Sequence, residues 1–145
     1  MWRKSFGLVA VVLLVGVCGA EPPKAAPEKP KVYTGKVVPL KDAKGKPDKR
    51  GLVLKADDGT SYPIVEDGVS GKLYQDARLR NRPVRLTALR QTGTGKLQVV
   101  RVQTVKDGEV HDVDYWCEVC QISLDHPGQC YCCGDEVELR ERPVR

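Results

Sequence analysis

The sequence predicts a mainly β fold: a small five-stranded barrel with one short helix, followed by a cysteine-rich C-terminal hairpin tail. Three observations carry that expectation. Apolar residues alternate with polar ones in successive short runs between residues 32 and 106. A single stretch of helical spacing interrupts those runs, between the third and the fourth. Finally, five of the six cysteines fall within seventeen residues near the C-terminus.

The elements follow in chain order. Residues 1–20 have the build of a secretory signal peptide. Arg3 and Lys4 make a basic start, Phe6 to Val17 is an apolar or glycine run, and Cys18-Gly19-Ala20 supplies small residues for cleavage after Ala20. The run is short for a membrane span, which needs about twenty residues. A lipid anchor at Cys18 is the alternative, disfavoured by the bulky Val17 before it. Residues 21–31 form a linker whose Pro22, Pro23, Pro27 and Pro30 favour an extended spacer of roughly 30 Å at about 3.1 Å per residue. The expected location is therefore outside the cytoplasm, periplasmic or extracellular, with attachment to a membrane as the variant.

Residues 32–106 supply the barrel. Val32 to Leu40 is β-rich, with Gly35 where a strand would bend or bulge. Leu52, Leu54 and Ala56 alternate with Val53 and Lys55. Asp58-Gly59 marks a hairpin, and Thr60 to Val65 returns with Tyr62 and Ile64 on one face. Val69, Leu73 and Ala77, four apart, predict a short helix. Pro83 opens a strand in which Val84, Leu86 and Ala88 alternate with Arg85 and Thr87. Gly93-Thr94-Gly95 turns the chain into Leu97 to Val105, whose alternation changes phase at Val99-Val100, as a bulge would require.

Five strands with a helix between the third and fourth is the connectivity of an OB-like barrel. An SH3-like barrel or an open sheet would share most of the pattern. With its Gly-x-Val, Asp-Gly-Thr and Arg-Pro-Val-x-Leu patches, the segment resembles the small exported bacterial OB-fold domains labelled BOF. Tyr115-Trp116-Cys117, the later Cys132-Cys133-Gly134 and Glu138-Leu139-Arg140-Glu141 are similar to a group of uncharacterised exported bacterial proteins that join such a barrel to a cysteine-rich tail. The resemblance spans nearly all the mature chain. It implies the architecture and brings no activity with it.

Residues 107–145 form that tail. Val110 to Trp116 is expected as a strand, Pro127-Gly128 as a bend and Val137 to Leu139 as a short closing strand. Cys117-x-x-Cys120 and Cys130-x-x-Cys133 are separated by nine residues, so each pair offers two thiolates from one tight turn and the connection lets the turns face each other. This is the pattern of a structural Zn²⁺ site with Cys117, Cys120, Cys130 and Cys133 as ligands. Gly134 suits a turn folding back beneath the metal. Cys132 is left as an alternative ligand, a buried spectator or a free reactive thiol. Tyr115 and Trp116 are expected to cover the metal turns. About 39 residues cannot build an independent core, and zinc binding contributes on the order of 10–16 kcal/mol in small domains of this kind. Disulfides are the competing use of these cysteines in an oxidising compartment, although five is an odd number.

Charge is divided unevenly. Residues 21–106 hold 19 Lys/Arg against 9 Asp/Glu, whereas residues 107–145 hold 3 Arg against 10 Asp/Glu. A basic body and an acidic tail can pair with each other, a simpler account than a nucleic-acid surface. Arg78, Arg80, Arg82, Arg85, Arg90 and Arg101 would supply such a surface, but Tyr33, Tyr62 and Tyr74 form no stacking series. His111 and His126 are expected at the surface, His111 outward from its strand and His126 within reach of the cysteine pairs.

There is no Ser-His-Asp pattern, phosphate-cradling loop or carboxylate pair, and no catalytic residue is assigned. The expected function is that of a non-catalytic exported module meeting an envelope protein or ligand. Metal handling or thiol redox chemistry through the Cys-x-x-Cys pairs is the first alternative, and OB-type nucleic-acid binding the second.

Overall fold

The computed structural model describes residues 28–41 and 44–145. The expected leader and cleavage site, Cys18 and most of the Pro-rich segment lie outside the described residues. Among those described, no helix is long and apolar enough to cross a membrane.

Eight strands form one antiparallel network. They are β1 (Lys31–Lys41), β2 (Pro47–Ala56), β3 (Ser61–Pro63), β4 (Pro83–Arg90), β5 (Leu97–Lys106), β6 (Glu109–Cys117), β7 (Ile122–Leu124) and β8 (Glu138–Pro143). Neighbours run β3-β2-β1-β4-β5-β6-β7, with β8 also on β6. A parallel bridge between Ile64 and Leu97 joins the end of β3 to the start of β5, reinforced by Val65 N–H donating to the Leu97 carbonyl at 2.9 Å. That bridge closes the first five strands on themselves, and the one α-helix among the described residues falls between β3 and β4.

Two irregularities make closure possible. Gly35 pairs with Ala56 on β2 and with Val84 on β4, at the point where β1 passes between two halves of the wall. A Cβ there would stand 2.1 Å from the Lys55 carbonyl oxygen, so only glycine fits. On β5 the register slips: Thr87 faces Arg101 while Ala88 faces Val99. Val100 is the extra residue of this bulge and is exposed, which accounts for the phase change in the sequence.

Leu54, Val84, Leu86 and Ala88, which alternation picked out, are fully buried, as are Val37 and Leu97, whereas Ala56 is only half-buried. The helix α1 (Gly71–Gln75) and a 3-10 turn (Ala77–Leu79) add Leu73 and Leu79 to that core. The helix is shorter than the Val69–Leu73–Ala77 spacing predicts. Asp76 is extended and ends it, leaving Val69 and Ala77 exposed. Ser70 and Asp67 fix its start: Ser70 Oγ donates to the Val65 carbonyl at 2.6 Å, and Asp67 Oδ1 accepts from Val69 and Ser70 N–H.

β5 turns into β6 at Asp107-Gly108, both at positive φ, so the two strands form a tight hairpin. β6 continues beyond its pairing with β5, where β7 takes its far end on one side, while β8 runs along His111 to Trp116 on the other. β8 is longer than the expected Val137–Leu139 strand. β7 has only three residues and too little alternation to register in sequence.

Candidate metal centre

The strand β6 carries alternating residues into two adjoining cores. Val113 belongs to the barrel interior, while Tyr115 and Cys117 belong to a second cluster with Leu124, Cys130 and Val137. Tyr115 is fully buried, and its hydroxyl crosses to the barrel to donate to Asp76 Oδ2 at 3.0 Å. Burial opposes ionisation of Asp76. Hydrogen bonds from the Arg78 side chain and backbone and from Tyr115 outweigh that and hold the carboxyl below its ordinary range. Burial, then the hydrogen bond to Asp76 and its charge, push the Tyr115 phenol well up, so it remains a donor.

Trp116 behaves differently from its neighbour. Adjacent residues of a strand face opposite ways. Trp116 therefore lies away from the cysteine cluster and receives the Arg140 guanidinium 4.0 Å above its ring. Tyr115 alone covers the metal turns, where both aromatics were expected to. His111 departs from expectation too, since it shares the parity of Val113 and Tyr115. It sits half-buried, with Nδ1 3.1 Å from the Glu109 carbonyl oxygen.

Each Cys-x-x-Cys pair forms the same turn. After the first, Gln121 N–H donates to the Cys117 carbonyl at 2.8 Å; after the second, Gly134 N–H donates to the Cys130 carbonyl at 2.8 Å. Both closing residues are left-handed, Gln121 at φ 55° and Gly134 at φ 82°. Gly134 was legible as a turn residue. Gln121 was not, because nothing in a glutamine announces a left-handed backbone. Cys120 N–H also lies 3.5 Å from Cys117 Sγ. The connection is pinned by Val137 N–H to the Gly128 carbonyl and Cys130 N–H to the Asp135 carbonyl.

These turns bring the Sγ atoms of Cys117, Cys120, Cys130 and Cys133 within 4.8 Å of one another, with Cys117 and Cys133 at 3.5 Å. Four sulfurs about 2.3 Å from a tetrahedral ion stand about 3.8 Å apart. The four cysteines are thus spaced so that they could hold a metal ion, and all five described cysteines are free thiols. Backbone N–H groups of Cys133 and Cys132 hold the Cys130 thiol down to about 7. The thiols of Cys132 and Cys133 push Cys120 up. One thiolate is stabilised by peptide dipoles and further charge is resisted by packed sulfur, a conflict that a bound cation removes.

Cys132 lies outside the four-sulfur group and is exposed, so it is not a buried spectator. His126 is also apart, exposed with Nδ1 2.8 Å from Asp125 Oδ1.

Much of the charge division resolves within the molecule. Glu141 pairs with Arg82 at 2.8 Å and with Lys106, and accepts from Thr104 Oγ1 at 2.5 Å. Asp112 takes a two-pronged contact from Arg101, and Asp114 pairs with Arg140 and Arg142 and accepts from Ser123. Of the remaining arginines, Arg78 is on Asp76, Arg80 donates to the Tyr74 carbonyl and Arg90 covers Tyr62. Tyr33 and Tyr62 pack edge to face on each other at 5.2 Å. Comparison with family models, with curated proteins and with solved structures gives no match.

Proposed function

We propose that this chain is an exported, non-catalytic module in which a Cys₄ Zn²⁺ site holds the C-terminal end rigid on an OB-like barrel. Convergence of four sulfurs from two matched turns is the observation that carries this reading. Zinc is favoured over other divalent ions by an all-thiolate donor set in a tetrahedral spacing. A structural role is favoured because all four positions of the tetrahedron are taken by cysteine, leaving none for water or substrate. The leader-like residues 1–20 support export, and the resemblance to barrel-plus-cysteine-tail exported proteins agrees with it.

Native mass spectrometry of the purified protein tests the reading. One zinc per chain with four protected thiols and one reactive thiol is expected. Cys117–Cys120 or Cys130–Cys133 disulfides without metal would overturn it.

Thiol exchange is a second reading, favoured by the exposure of Cys132 at the edge of the cluster. Under it, a soft metal such as Cu(I) would load and leave reversibly. A Cys132→Ser variant that retains zinc but loses copper exchange would select it over the first. The nucleic-acid reading draws less support, because five of the six arginines proposed for that surface have partners inside the protein.

A further inference from the structure

Two surfaces remain whose character the intramolecular pairing does not satisfy. The first is the outer face of β1 and β2. Val38, half-buried, pairs with Val53, which is already buried at 7% exposure, and Leu40 stands exposed beside them; with Pro39 they line an open groove of about 600 Å³. Lys41 and Lys55 sit at its edge. Lys55 also lies directly across from Lys36. Like charges facing each other across strands are destabilising, and among the described residues neither lysine has an acidic partner.

The second surface is the tip of the two cysteine turns. There Tyr131 is 79% exposed and Val119 66%, the two most exposed large apolar side chains among the described residues. Next in sequence, Asp135 and Glu136 are exposed and make no ion pair among the described residues. Tyr131 is set within the second turn and Val119 within the first, so sulfur convergence brings both to one end of the molecule. A tyrosine ring held in solvent on a rigid turn is an anchor with little conformational freedom left to lose.

We infer that these surfaces are complementary to each other, and that the turn tip of one copy docks on the lysine-edged groove of a second copy. Each supplies what the other lacks. Tyr131 and Val119 cover Val38, Pro39 and Leu40, and Asp135 and Glu136 relieve the opposed Lys36 and Lys55. Of the barrel arginines, Arg82 and Arg101 are already committed to Glu141 and Asp112. This inference goes beyond the structural role of the metal. It requires only that the turns be formed.

Sedimentation velocity on the full mature protein, as a function of concentration and salt, tests it. Self-association is expected, weakening about tenfold or more as ionic strength rises from roughly 0.05 to 0.5 M, because the charges flank the contact. Lys36→Glu/Lys55→Glu and Asp135→Lys/Glu136→Lys should each be monomeric. Mixed together, they should associate, since the acidic groove of one then fits the basic tip of the other. Tyr131→Ser should weaken association of the wild type at all salt concentrations. Circular dichroism and zinc content, unchanged in every variant, separate loss of docking from loss of fold. A wild-type protein that stays monomeric to about 1 mM at low salt, or association that survives both charge reversals, would overturn the inference.

Discussion

In the barrel, Val37, Leu54, Leu86 and Leu97 lose contact with solvent behind a closed wall of strands. At the other end of the molecule the fully buried large residues are Tyr115, Cys117 and, nearly so, Cys130. The first region has thirteen buried apolar residues in one cluster and the second has five, two of them cysteines. A barrel with that interior can stand on apolar burial. The cysteine end is too small for this and has to recruit another source of free energy, either coordination or contact with the barrel. The two halves of β6 show the change from one regime to the other within nine residues.

Removing the metal source should have the largest effect. Cys117→Ser is expected to forfeit most of the coordination energy, on the order of 10 kcal/mol in small zinc domains. Amides between residues 118 and 137 would then lose protection from hydrogen exchange while barrel amides keep theirs, with the zinc content falling to near zero. Equal loss of protection in both regions would show that the cysteine end stabilises the barrel as well. Acid should mimic this change, because protons compete with metal for thiolates, and metal release on titration below neutrality reports it.

Truncating the barrel interior comes next. Leu86→Ala should cost about 2–5 kcal/mol, read as a lower midpoint in denaturant. Bound zinc should be retained under native conditions.

Two paired carboxylates predict a pH dependence, Glu141 between the regions and Asp114 within the cysteine end. Burial disfavours the charged form of Glu141, but hydrogen bonds from Lys106 and Thr104 and the charge of Arg82 prevail and depress its pKa. Arg140 foremost, against burial and with Ser123 and Arg142, does the same for Asp114. For depressed carboxyls the folded state binds fewer protons than the unfolded. Their contribution is therefore complete above the unfolded pKa, about 4, and is lost as pH falls through the lower folded value. Glu141→Gln should flatten that part of the stability–pH curve and cost about 1–3 kcal/mol at pH 7, since Arg82 and Lys106 lose their shared anion.

Tyr115→Phe isolates a single tie. It keeps the ring in the second cluster and deletes the hydroxyl that reaches Asp76, so about 1–2 kcal/mol should be lost in thermal unfolding. Gln121→Gly is the smallest change and has the opposite sign. It relieves the left-handed strain at φ 55° that Gly134 avoids in the matched turn, and should raise stability by about 1 kcal/mol.

The two regions also differ in how far they could be read in advance. The barrel strands were legible because each side chain's fate follows local alternation, and even the Val100 bulge left a trace as a phase change. The four sulfurs were legible because Cys-x-x-Cys encodes its own turn. The tie between the regions was not, since it joins Tyr115 to Asp76 and Glu141 to Arg82 and Thr104 across long sequence separations. The partners of the arginines were hidden for the same reason. Trp116 is a different case. Once Tyr115 is placed inward, parity alone sends its neighbour to the opposite face.

The pairing of Gln103 to Lys106 with Glu109 to Asp112 has a practical consequence for anyone dissecting this molecule. A fragment ending at residue 106 would keep the whole barrel wall but strip the cover from the last turn of its final strand. The outer edge of Gln103 to Lys106 would then be offered to passing chains as a template for fibril-like stacking. Removing the cysteine end would thus bare an adhesive strand edge, even though none of the excised residues belongs to the closed ring of five strands.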